Sequence, residues 1–304
     1  MELKANNPSF KATREGAGSC PHCRNIMPRL VDCAPQYFRD GFVSCGHSGH
    51  QVDLWKAVLE DAIRMSMAPG WALAALGAGS TNFVMPMETG KYYPVELSSH
   101  DVPADAKILT RNYTSQGGDV TAMEQHGNAP PLRFPGTMLR LVGVPLGEGP
   151  LPRMGQVSIN VVWIRSGDSE AWSYLVTAFE SAAAKEYAPS LVFAQSAVEI
   201  SMMPLIESRF RLHVAEKKVK HFTNYSRALN VILPYLCGEA GLAQMPKVVH
   251  DALERLGDRR NKVIHQGAKA AAITPTDAME GLCAASFGFE YMRYVGPSLL
   301  KEGK

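Results

Sequence analysis

The chain has 304 residues, of which 46% are hydrophobic and 20% charged, the balance of a globular protein and not of a disordered or fibrous one. A formal net charge of +2 excludes any argument from overall basicity, and the small cationic excess falls mainly in the C-terminal part. Such a length predicts two or three domains, each able to bury a core.

The N-terminus, Met1-Glu2-Leu3-Lys4, is polar and has no apolar signal-peptide core behind it. The weakly polar run from Trp71 to Gly79 is far too short to span a bilayer. A cytoplasmic location is the resulting expectation.

Cys20, Cys23, Cys33 and Cys45 fall in one short N-terminal segment. Cys20-Pro21-His22-Cys23 forms one knuckle, and Cys45-Gly46-His47-Ser48-Gly49-His50 supplies a second group of donors. In a reducing compartment this spacing reads as a zinc site and not as a disulfide framework. Two turns present soft or borderline donors to a tetrahedral ion, with Zn–S distances of about 2.3 Å. The metal then holds together a segment too small to build a core. The favoured set is Cys20, Cys23, Cys45 and His50, because the second group has Gly at both places where a tight turn wants one. His47 is an alternative to His50, and Cys33 would complete a four-cysteine site. With Gly41-Phe42-Val43-Ser44 as a strand leading into the second knuckle, residues 1–52 resemble a zinc ribbon. That resemblance implies a structural zinc, and a surface that touches nucleic acid or a partner.

Residues 53–168 read as a helix followed by a β-rich domain. Asp53 is the expected N-cap of a helix with Leu54, Val58, Ala62, Ile63 and Met65 on one stripe, ended by Pro69-Gly70. Short apolar runs at 71–76, 82–87, 92–97, 107–113, 137–144 and 156–164 are spaced like the strands of an antiparallel sandwich or small barrel. The last has the cleanest alternation, with Val157, Ile159, Val161 and Trp163 on one face. No chemistry is legible in this region.

From Asp168 or Ser169, either of which can cap, residues 169–304 read as a bundle of five helices. Trp172, Leu175, Val176, Phe179 and Ala183 mark the first. Pro189 can begin the second, which is apolar nearly all round and therefore central. Glu199 lies inside that apolar run; it either meets a cation or donor or sits on an exposed edge. Arg209, Arg211, Lys217, Lys218, Lys220 and Arg227 form a basic run, suited to a solvated face or to phosphate contacts. A third helix carries Leu229, Ile232, Leu233 and Leu236, with Pro234 kinking or ending it. The fourth begins near Pro246 and ends in Arg259-Arg260-Asn261-Lys262-Val263-Ile264-His265-Gln266-Gly267. Thr276-Asp277 is the expected cap of the last. A permanent planar cation and a group that titrates near neutrality, close together, suit chemistry on a phosphodiester.

The helix carrying Leu191 to Glu199, followed by Arg260-Asn261-Lys262-Val263-Ile264-His265, resembles the HEPN superfamily, marked by Arg, a polar residue, a short spacer and His. The resemblance covers residues 169–304. It implies a metal-independent endoribonuclease that works as a homodimer with facing motifs, in antiviral defence, toxin–antitoxin or stress systems. Arg260 would stabilise the phosphorane, His265 would transfer protons, Asn261 would position phosphate or His265, and Glu199 would orient Arg260. Arg259 also fits the spacing to His265. RNA is then the expected substrate, and an antitoxin or trigger protein a possible partner. The alternatives are a non-catalytic dimerisation, RNA- or nucleotide-binding bundle, and a zinc-ribbon adaptor for nucleic acid.

Overall fold

A computed structural model describes residues 20–24, 30–64, 79–104, 106–125, 138–165, 169–210, 224–266 and 272–301. It is a mixed α/β protein with seven helices among these residues, antiparallel sheets, a C-terminal helical region and a cysteine cluster near the N-terminus. The chain divides into two compact units, and the division does not follow three consecutive segments. Residues 15–77 join residues 167–304 in one unit, and residues 78–166 belong to the other.

The reason lies in two amphipathic helices. The first, α1 (Leu30–Asp40), buries Leu30, Cys33, Ala34, Tyr37 and Phe38 at helical spacing. The second, α2 (Leu54–Arg64), is capped by Asp53, whose Oδ1 accepts from the Lys56 N–H at 3.2 Å, as expected. It buries Leu54, Trp55, Val58 and Ala62. Both stripes find their cover on the last described helix, α7 (Pro275–Lys301). Tyr37 and Trp55 meet Phe287 edge-on at 5.6 and 5.2 Å, and Phe38 meets Tyr291 edge-on at 5.1 Å. Between α1 and α2 a short hairpin, β1 (Val43–Ser44) and β2 (Gln51–Val52), carries the second knuckle at its tip. The cysteine segment is thus fixed to the helical bundle through aromatic packing.

The bundle contains α3 (Glu170–Ala183), α4 (Tyr187–Phe210), α5 (225–239), α6 (Lys247–Gln266) and α7. Ser169 caps α3, accepting from the Trp172 N–H at 3.4 Å, as expected. Helix α4 packs against α3, α6 and α7, which accounts for its all-round apolar surface. By length and composition its Tyr187–Ser208 stretch is apolar enough to cross a membrane, and half of it is buried inside the bundle. Helix α5 is one continuous run, 225–239, made of Tyr225–Arg227, a π turn at Ala228–Ile232 and Leu233–Glu239. Pro234 therefore neither ends nor breaks it. A proline ring crowds the carbonyl four residues before it, and the wider π turn lies just ahead of the clash. The cap of α7 is Thr274, not Thr276. Thr274 Oγ1 accepts from the Asp277 N–H at 3.1 Å, while Asp277 Oδ2 accepts from the Thr274 N–H at 2.9 Å. Pro275, at the first helical position, has no N–H to leave unpaired. Of the basic run, Arg211, Lys217, Lys218 and Lys220 lie outside the described residues.

The second unit holds two three-stranded antiparallel sheets whose inward residues share one core. One sheet is β3 (Gly79–Glu88), β8 (Met154–Arg165) and β5 (Ala106–Gln116), in that order. The other is β4 (Tyr92–Glu96), β7 (Met138–Pro145) and β6 (Val120–Glu124). Val157, Ile159 and Val161 of β8 are fully buried, as their alternation predicts. Strand β6 was not expected; the run 71–76 lies outside the described residues.

Candidate functional site

Three of the four residues singled out for phosphodiester chemistry come to one pocket of about 710 Å³ in the helical unit. Helix α4 contributes Gln195 and Glu199, one turn apart on one face. Helix α5 contributes Tyr225 and Leu229, the latter within its π turn, and α6 contributes Asp251, Glu254, Arg255, Asp258, Arg260 and Asn261. Asn224, whose side chain caps the start of α5 by accepting from the Arg227 N–H at 2.8 Å, also lines it.

The wall between α5 and α6 is set by a small residue. Gly257 is buried, and a Cβ there would meet Tyr225 Cε1 at 3.0 Å. Its absence lets the Tyr225 ring stand against α6, where the hydroxyl donates to the Leu253 carbonyl at 3.2 Å. Burial first, and then the negative charges of Glu199 and Glu254, push the Tyr225 phenol well above its usual range. This tyrosine therefore stays a neutral donor.

Two adjacent arginines have opposite roles. Arg259 is committed to the fold: it pairs with Asp277 and Glu280 of α7, both at 2.6 Å. Arg260 donates through Nη1 to Asn261 Oδ1 at 3.2 Å, and its Nε is buried with no partner. Among the described residues no carboxylate pairs with Arg260, so the expectation that Glu199 orients it directly is not met. Gln195 also lines the pocket, 2% exposed, with its Oε1 unpartnered. The pocket therefore holds an unpaired buried donor and an unpaired buried acceptor. A ligand or ordered water would have to satisfy both. His265 is one residue from the end of α6, exposed, and not part of the pocket lining.

His250, Asp251 and Glu254 bring donors within 4.8 Å of one another beside the pocket. Two of them are already engaged: Asp251 pairs with Lys247 at 2.6 Å, and Glu254 accepts from Asn230 at 2.7 Å. The closer match to a metal site is at the knuckles. There the sulfurs of Cys20, Cys23 and Cys45 lie within 4.8 Å of one another, and three such thiols can hold a metal ion. Cys23 and Cys45 sulfurs are 3.6 Å apart, far beyond a disulfide bond and near the edge of about 3.8 Å that a tetrahedral Zn–S site has. Hydrogen bonds from the Ser48 hydroxyl, then from the Ser48 and His47 backbone N–H groups, hold the Cys45 thiol down at about 6. That thiol is prepared to ligate as thiolate.

The fourth donor expected from sequence does not complete the set. His50 stacks on His22, ring centroids 4.3 Å apart, and neither His50 nor His47 joins the mutually close donor group. Cys33 does not join that group either. It is buried on α1, donates to the Leu30 carbonyl at 3.8 Å, and burial with the nearby charges of Asp32 and Glu290 raises it to about 12. Gln195, Tyr225 and Gly257 went unnoticed in the sequence, since their meeting depends on three separate helices. Compared with protein-family models, curated proteins and solved structures, the chain matches none.

Proposed function

We propose that the chain is a metal-independent endoribonuclease of the HEPN type, with a structural zinc on Cys20, Cys23 and Cys45. The reading is supported above all by the convergence of Glu199, Arg260 and Asn261, from two helices, on one pocket while the neighbouring Arg259 is consumed by ion pairs. Arg260 meets the phosphate with a guanidinium that pairs with no carboxylate among the described residues, and Asn261 fixes its Nη1 edge. His265 takes the proton from the RNA 2′-hydroxyl as its oxygen attacks phosphorus. The bond to the 5′-oxygen breaks, and that oxygen receives the proton. A 2′,3′-cyclic phosphate and a 5′-hydroxyl result, and no step needs a metal. A homodimer with facing motifs would bring His265 of one copy to the pocket of the other. An antitoxin or trigger protein would then act by covering or uncovering that interface, in the cytoplasm.

One observation favours a second reading, a bundle that binds without cleaving. His265 stands outside the pocket, whose lining sets Glu199, Asp251, Glu254 and Asp258 against Lys247, Arg255 and Arg260. An acidic majority favours a nucleoside or base edge over a bare phosphate chain. Incubation of purified protein with total RNA, with and without chelator, beside Arg260→Ala and His265→Ala, separates the two. Cleavage by wild type alone supports the nuclease; tight RNA or nucleotide binding without cleavage supports the binding module.

A further inference from the structure

The two knuckles repeat one backbone turn. The Arg24 N–H donates to the Cys20 carbonyl at 2.9 Å, and the Gly49 N–H donates to the Cys45 carbonyl at 2.8 Å. Arg24 and Gly49, each the fifth residue of its turn, are both left-handed, with φ of 62° and 67°. Superposing the turns residue by residue sets Cys20 on Cys45 and Cys23 on Ser48. Ser48 therefore occupies the place that a fourth cysteine would take in a paired C-x2-C site.

Its side chain points the same way. Ser48 Oγ is 3.9 Å from Cys20 Sγ. A tetrahedral zinc with one oxygen donor has S···O edges of about 3.6 Å. The geometry points to a metal centre whose donors are Cys20, Cys23, Cys45 and the Ser48 hydroxyl, the last position being exchangeable for an external thiol. This rests on the zinc reading above and is independent of the nuclease reading.

The exchange follows from the donor's chemistry. Three thiolates leave a zinc site with one negative charge, and a neutral hydroxyl is a far weaker fourth ligand than sulfur. An arriving thiol gives its proton to solvent, its sulfur takes the position, and Ser48 leaves as a neutral hydroxyl. Nothing is oxidised or reduced. The rim is open to such a ligand: Pro21, His22, Gly46, His47, Gly49 and His50 are all exposed.

Cobalt substitution of the full-length protein tests this by absorbance. Ser48→Cys should raise the thiolate-to-cobalt charge-transfer intensity by about one-third, from three sulfurs to four. His50→Ala should leave the spectrum unchanged. Adding 2-mercaptoethanol should raise the intensity of wild type and not of Ser48→Cys. Should Ser48→Cys fail to fold, zinc-edge X-ray absorption of wild type should show three sulfurs and one light donor, without imidazole scattering. A spectrum altered by His50→Ala, imidazole scattering in wild type, or indifference to both Ser48→Cys and added thiol overturns the Ser48 assignment and leaves a three-cysteine zinc site standing. Folded protein that binds neither metal removes the zinc reading and this inference together. Neither result touches the nuclease reading, which the RNA assay decides.

Discussion

Arg259 and Arg260 are neighbours on α6 that do different work: Arg259 ties α6 to α7 through Asp277 and Glu280, while Arg260 leaves its Nε unpaired at the pocket. One residue along a helix turns a side chain by about 100°, enough to send one guanidinium into a helix–helix seam and the next towards a cavity. The two arginines are thereby divided between a helix–helix seam and a pocket wall.

Arg259→Ala should destabilise the helical unit by about 1–2 kcal/mol, between the values for exposed and fully buried pairs, since these side chains are partly shielded. Chemical denaturation at neutral pH measures it. Arg260→Ala should leave the same midpoint unchanged and abolish RNA cleavage. Equal loss of stability in both variants would contradict the division of roles.

The same ion pairs give stability a pH dependence. Desolvation raises both carboxyls, but hydrogen bonds from Thr274 and then the charge of Arg259 at Asp277, and the hydrogen bonds and charges of Arg259 and Arg255 at Glu280, outweigh it and hold both below their usual range. Carboxyls lowered in the folded state stabilise it above their unfolded pKa, about 4, and the contribution disappears as pH falls through the lowered folded values. Arg259→Ala should therefore flatten the acid limb of the stability profile. A wild-type profile shared by the variant below and above pH 4 would show the pairs to be inert.

His265→Ala should lower RNA cleavage by about 10²–10⁴-fold, the usual worth of a positioned proton-transfer group. The residue is exposed at the end of α6, so melting temperature should not move. Arg260→Lys should fail as well, since a point charge does not reproduce planar two-pronged contact with phosphate. Undiminished cleavage in these variants would transfer the pocket to the binding reading.

Chelation should strip the metal and loosen the knuckles without slowing cleavage, and Cys20→Ser should have the same effect. Amide hydrogen exchange along residues 20–24 and 45–50 reports the first part, and a single-turnover rate with chelator the second. A cleavage rate that follows added divalent ion would refute the metal-independent mechanism.

Gly257→Ala places a methyl group against Tyr225, in a contact of 3.0 Å that the ring must yield to. A cost of about 1 kcal/mol and a change in ligand affinity at the pocket are expected, as for a mild overpacking. Nucleotide titration at the pocket and chemical denaturation together would register it; neutrality on both would show that the α5–α6 wall is not tightly set.

Where local chemistry decided the outcome, the sequence was readable. Asp53 and Ser169 announce helices through side-chain oxygens that reach backbone N–H groups nearby. The alternation of Val157, Ile159 and Val161 needs only the pleat of a strand. Helix α1 escaped because Pro35 reads as a breaker and Cys33 reads as a ligand, while the real signal is the stripe of Leu30, Ala34, Tyr37 and Phe38. Strand β6 is short and follows a Gly117-Gly118 turn. The choice of His50 followed residue type, whereas the donors that lie mutually close are Cys20, Cys23 and Cys45. Gln195, Tyr225 and Gly257 carry no mark in sequence, because their partners lie on other helices.

The packing of α1 and α2 against α7 also orders events during synthesis. Chains emerge N-terminus first, and units fold as their residues become available. The sheets of residues 78–166 can close while the helical unit still lacks most of its sequence. Tyr37, Phe38 and Trp55 must wait, uncovered, for Phe287 and Tyr291 to leave the ribosome. A nascent chain stopped before α7 would display an aromatic surface beside the knuckles, the kind that holdase chaperones retain. Completion of the bundle, and with it the seating of Arg259, is thus deferred until α7 has been translated.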